Sequence, residues 1–185
     1  MNAGCFVLRG APLQLIVVGL AVIIAFLRGG RELILPNFVW KRLLLVAIGL
    51  QLISFVLPVL KVVLVDLSYA VALLFLYLNY KIVELRFALI GVAMNSLEIW
   101  LNRGAMPGVH VSGMDRLTVG LLNNHSQWHQ FLTAKTVFPF LADIFYMSFP
   151  YKAIYSVGDF MIALSIGMLL QRVMGKPLFQ ENKRL

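Results

Sequence analysis

Apolar residues run in long blocks along this chain, separated by short segments that carry basic residues, glycine or proline. Five blocks approach the roughly 20 apolar residues that an α-helix needs to cross the hydrocarbon core of a bilayer. They lie at about 11–27, 43–60, 62–78, 87–101 and 157–173. The pattern predicts an all-α fold: a polytopic transmembrane bundle of about five helices, forming a single domain over 1–185. Only Pro58 and Lys61 punctuate the stretch between the second and third blocks. A continuous helix from 43 to 78 would be far too long to span a bilayer, so a tight hairpin is expected there, with Asp66 capping the third helix. The fourth block is short and contains Asn95, Ser96 and Glu98, so neighbouring helices must shield it.

The long connection, 102–155, is rich in aromatic and apolar residues, including Trp128, Phe131, Phe138, Phe140 and Phe145. A connection of that length is usually structured or functional. Its aromatic content suits the membrane–water interface, and any re-entry into the membrane would have to be covered by protein or water. No internal repeat or low-complexity tract interrupts the chain, and the polar tail over 176–185 is expected to fray.

Composition sharpens this picture. Hydrophobic residues make up 61% of the chain and charged residues 13%, against about 45–50% and about 25% in soluble domains. The net charge of +8 comes from basic residues between the apolar blocks. That distribution argues for topology rather than for nucleic acid, because Lys and Arg hold loops on the cytoplasmic side. Placing the N-terminus outside and the C-terminus in the cytoplasm puts Arg28, Arg31, Lys41, Arg42, Lys81, Arg86 and the C-terminal cations on the inner face. Cys5 is the single cysteine, which excludes an internal disulfide or a Cys-based metal cluster. No removable signal peptide is evident. Trp40, Trp100, Tyr77 and Tyr80 fall near helix ends and read as interfacial anchors. Gly19, Gly49, Gly91 and Gly167 would allow close helix packing, and Lys61 can snorkel to the outer edge.

The candidate chemistry gathers at one end. Asn95, Glu98 and Asn102 are spaced i, i+3 and i+7, so they share one face of the fourth helix. With Arg103, Asp143, Ser156 and Asp159 they form an expected ligand-binding set near the outer leaflet, since ionisable groups in membrane segments are costly and point to function. The plainer reading is that these carboxylates pair with Arg103 or loop amides and tie the loop down. Asp143 and Asp159 are the best catalytic pair for an aspartyl hydrolase, which needs two carboxylates sharing a proton. His125 and His129 have the i, i+4 spacing of a helical metal pair, with His110 or Asp115 as a third ligand, but no Glu follows His125 and no complete metal motif results. Arg28-Gly29-Gly30-Arg31-Glu32 reads as a sharp turn with cytoplasmic anchors that contact anionic lipid, ahead of a phosphate cradle. No cofactor motif is present.

Several of these segments together resemble an uncharacterised bacterial domain-of-unknown-function family of small polytopic, about five-helix, integral membrane proteins. The matching pieces are Leu27-Arg28-Gly29-Gly30-Arg31, Leu101-Asn102-Arg103-Gly104-Ala105-Met106-Pro107, Phe140-Leu141-Ala142-Asp143-Ile144 and Tyr155-Ser156-Val157-Gly158-Asp159. The chain departs from the family pattern where it has Arg103 in place of the middle residue of Asn-Gly-Gly, and Ala142 in place of Gly. The resemblance implies the helix count and no activity. The Asn-x-Gly element followed by an Ala-Asp also loosely resembles the lipoprotein signal peptidases, whose aspartate motif contexts are missing.

The expected function is that of a small membrane protein that binds or transports a lipid-linked or small amphiphilic ligand, with a basic, aromatic-lined outer pocket favouring an anionic headgroup. An intramembrane aspartyl-type hydrolase and an accessory subunit of a larger membrane complex are the alternatives. Membrane lipids are the expected partners, and transport through so few helices would call for a homo-oligomer or a heteromer.

Overall fold

The computed structural model describes residues 11–31, 33–109, 129–149 and 153–179. The chain is mostly helical, with five helices among the described residues: α1 (Ala11–Leu27), α2 (Arg42–Val56), α3 (Lys61–Leu78), α4 (Val83–Leu101) and α5 (Val157–Val173). The packing order is α2–α3–α4–α5–α1, with the α4–α5 contact the most extensive. Leu13 clusters with Ala153, Tyr155 and Ala163 at one end of α1. At the other end Gln171 donates to the Ala21 carbonyl at 2.6 Å, so α1 and α5 run parallel.

Two helix boundaries differ from the expectation. The α2–α3 hairpin is a 3₁₀ turn at Pro58–Leu60, where proline's missing N–H ends the α-helical ladder. Asp66 does not cap α3, which starts at Lys61 with Leu60 at the cap position; Asp66 lies inside the second turn. The fourth helix begins at Val83 rather than near 87, because Glu84 and Arg86 are helical. Polar residues at a helix start look like loop in a hydropathy pattern, yet Glu84 is fully buried against Arg172 of α5.

The connection between α4 and α5 adds strands to the expected helical bundle. Among its described residues there are four short ones: β1 (Met106–Gly108) pairs in parallel with β2 (His129–Phe131), and β3 (Phe145–Met147) pairs antiparallel with β4 (Ala153–Tyr155). Gly108 also bridges Asp143, so β1 is flanked on both sides. Three-residue strands are too short for alternation to register in a sequence.

At the opposite end, the segment before α2 folds back on the bundle. Ile34 donates to the Val173 carbonyl at 2.6 Å. Asn79, at the C-cap of α3, accepts from the Val39 amide at 2.8 Å and donates to the Val39 carbonyl at 2.9 Å. Asn79→Ala removes both bonds and is expected to lower stability by about 1–2 kcal/mol, read as a drop in the thermal unfolding midpoint. The Arg28-Gly29 turn is structural: Gly29 has φ +80, and a Cβ on Gly30 would stand 2.6 Å from the Met174 carbonyl oxygen. Those glycines let the end of α1 seat against the end of α5.

Polarity runs inward across the bundle. Ser54, Ser68, Asn79, Glu84, Asn95, Ser96, Glu98, Ser165 and Gln171 are buried, while Leu15, Leu20, Ile23, Leu45, Leu52 and Val63 are exposed. Among the described residues one helix, Lys61–Leu78, is long and apolar enough by length and composition to cross a membrane, with shorter apolar helices at Leu13–Leu27 and Arg42–Ser54.

Candidate functional site

Two polar clusters form where the strands cover the ends of α4 and α5. The first is closed on itself. Ser156 caps α5 by accepting from the Asp159 amide at 3.0 Å, and the Ser156 amide donates back to Asp159 Oδ2 at 3.0 Å. This reciprocal box satisfies two of the amides that a helix start leaves orphaned, and the helix dipole favours the carboxylate there. Asn95 of α4 locks onto it: its Nδ2 donates to Asp159 Oδ1 at 3.0 Å, and its Oδ1 accepts from Ser156 Oγ at 2.9 Å. Both Asp159 oxygens therefore hold N–H donors. Close backbone approach makes the junction possible, since a Cβ on Gly91 would stand 2.5 Å from the Gly158 carbonyl oxygen.

The second cluster is open. Glu98 is completely buried. Its Oε1 accepts from Asn102 Nδ2 at 3.0 Å. Its Oε2 is also buried and has no hydrogen-bond partner among the described residues. Asn102 is the staple of this end: it donates to the Glu98 and Val137 carbonyls at 2.9 and 3.1 Å, and its Oδ1 accepts from the Val137 amide at 3.0 Å. Gln130 of β2 donates to the Asn102 carbonyl at 3.0 Å. Asp143, also buried, lies within electrostatic range of Glu98, and its Oδ2 stands 3.5 Å from His129 Nε2. Tyr69 of α3 is within range of Asp66, Asp143 and Asp159, and the buried Asp66 Oδ1 lacks a hydrogen-bond partner among the described residues.

The residues expected from sequence thus divide. Asn95, Ser156 and Asp159 build the closed junction; Glu98, Asn102 and Asp143 build the open one. Arg103 stands apart: it is exposed, in a left-handed conformation with φ +63, and forms no ion pair among the described residues. His129 sits on strand β2 rather than on a helix. His110, Asp115 and His125 lie outside the described residues, and no group of three metal-type side chains occurs among those described. Sequence reasoning missed Tyr69 and misassigned Asp66, although their i, i+3 spacing places both on one face of α3.

A family profile described as "Family of unknown function (DUF5317)" matches residues 31–171. No curated protein and no solved structure matches the chain.

Proposed function

We infer, for a chain that belongs to the DUF5317 family, that it is a polytopic integral membrane protein binding a small cationic group at the buried Glu98–Asp143 site. The membrane reading draws on the inverted polarity of the bundle. Leu20 and Ile23 on α1, and Leu45, Leu52 and Val63 on α2 and α3, face outward while the carboxylates and amides face in, the reverse of the usual soluble pattern of buried apolar and exposed charged residues. The five helices would cross the bilayer with the N-terminus outside, which places Glu98, Asp143 and the strands at the outer leaflet.

The observation that carries the binding reading is Glu98 Oε2, a buried carboxylate oxygen with no hydrogen-bond partner among the described residues. Burying an ionised carboxylate without compensation is prohibitive, so such a group holds a proton or a cation. Its surroundings favour positive charge. Glu98 lies in the last turn of α4, at the negative end of the helix dipole, with Asp143 in range. The anionic headgroup expected from a basic pocket fits this site less well, because Arg103 lies outside it. Asn102 holds Glu98 through Oε1 and leaves Oε2 to face the ligand, so binding exchanges carboxylate desolvation for a paired charge.

The test is thermal unfolding of detergent-purified protein in sodium, potassium, calcium and choline chlorides at constant ionic strength. At least one cation is expected to raise the midpoint, by about 2.7 kcal/mol of stability at a hundredfold excess over Kd. Glu98→Gln, which keeps the shape and the Asn102 contact region, is expected to remove that increment while remaining folded. No stabilisation of the wild type by any of the four, or an increment that persists in Glu98→Gln, overturns the reading.

A further inference from the structure

A second feature lies at the other end of the molecule, between α1 and α5. An apolar cavity of about 260 Å³ is walled by Val17, Leu20, Ile24, Leu164 and Gly167 and floored by Gln171. It opens to the surface along Leu20, Ile24 and Leu164, which are exposed. Gly167 creates the space, since a Cβ there would stand 3.1 Å from Val17 Cγ1. One stripe of α1 runs from Val17 through Ala21 and Ile24 to Arg28. Arg28 closes that stripe by donating to Gln171 Oε1 and to the Lys176 carbonyl, each at 2.8 Å. The Lys176 side chain lies over the same turn, because a Cβ on Gly29 would stand 3.9 Å from its Cε. Among the described residues neither Arg28 nor Lys176 forms an ion pair.

We propose that this groove is a binding site for one anionic phospholipid, with an acyl chain between α1 and α5 and the phosphate on Arg28 and Lys176. The inference rests on the membrane reading above and is independent of the Glu98 site. Two observations select this occupant. The cavity lining is apolar apart from Gln171, and Arg28, which bonds to Gln171, stands with Lys176 just beyond that end, which matches an amphiphile with an anionic head. The distance from Val17 to Arg28, 11 residues on a helix, is roughly 16 Å, about half of the ~30 Å hydrocarbon core and hence the depth of one leaflet. A headgroup at Arg28 would sit on the same side as Arg31 and Lys41, where cytoplasmic anchors belong.

The experiment reconstitutes the full chain in nanodiscs of equal phosphatidylglycerol and phosphatidylcholine, extracts it in mild detergent and counts retained lipids by native mass spectrometry. Wild type is expected to retain one phosphatidylglycerol in preference to phosphatidylcholine. Lys176→Gln is expected to reduce that preference roughly fivefold, the effect of one basic residue at an anionic surface. Leu20→Trp and Ile24→Trp, at exposed wall positions, should displace the acyl chain and abolish retention of the bound lipid, while the delipidated protein keeps its unfolding midpoint. Equal retention of both lipids by wild type, or undiminished retention in both Trp variants, overturns the proposal. Failure of the chain to enter nanodiscs at all overturns the membrane reading as well, so the two failures are distinct.

Discussion

Arg172→Gln is expected to destabilise the protein by about 3–5 kcal/mol, the largest single-residue effect in the bundle. Arg172 Nε stands 2.9 Å from both carboxylate oxygens of Glu84, which is fully buried at the start of α4. Gln is shorter and uncharged, so the buried Glu84 side chain would lose its charge partner in an apolar surrounding. Ser165 adds a third tie by donating to the Glu84 carbonyl at 2.8 Å. The destabilisation belongs to the orphaned charge rather than to the pair. The double variant Glu84→Leu with Arg172→Met is therefore expected to recover most of the loss, since an apolar pair of similar volume avoids both desolvation costs. Thermal unfolding of the two variants side by side checks this; equal loss in both would mean that packing, and not charge, holds α4 to α5 here.

Gly158→Ala is expected to cost about 3 kcal/mol at the other end of the same interface. A Cβ on Gly158 would overlap Asn95 Oδ1 and stand 2.7 Å from the Gly91 carbonyl oxygen. The second obstacle is backbone and cannot rotate away, so the helices must separate. Overpacking of this kind costs about 1–3 kcal/mol, and separation also weakens the Asn95 bonds to Asp159 and Ser156, at about 1 kcal/mol each. Gly91→Ala should behave alike, because its Cβ would meet the Gly158 carbonyl oxygen at 2.5 Å. Asn95→Ala, which removes the side chain without adding bulk, should cost less than either. If Gly158→Ala unfolds at the wild-type midpoint, the close crossing of α4 and α5 is not as described.

Much of this was legible in the amino-acid pattern, for identifiable reasons. The apolar blocks at 11–27 and 157–173 coincide with α1 and α5; the start of α5 is further marked by the Ser156–Asp159 capping box. The face shared by Asn95, Glu98 and Asn102 follows from helical spacing alone, and the structure turns it toward α5 and the strands. What was not legible depended on partners distant in sequence. Glu84 looks like a loop residue until Arg172, 88 positions away, is placed beside it. Asp66 has the composition of a cap, but the turn at Pro58 sets the helix start earlier. Arg103 is the nearest cation in sequence to Glu98, yet the left-handed turn after α4, of the kind glycine adopts most easily, carries it outward. The strands escaped notice because each is three residues long, and β1 finds its partner β2 some way along the chain.

Both proposed binding sites rest on the inference that lipid surrounds the outward apolar faces, and alkaline carbonate extraction of native membranes tests that most directly. The chain is expected to remain in the membrane pellet at high pH and to leave it only in detergent, as a bundle whose apolar side chains contact acyl chains must. Quantitative release into the carbonate supernatant as a folded, detergent-free protein would contradict the account.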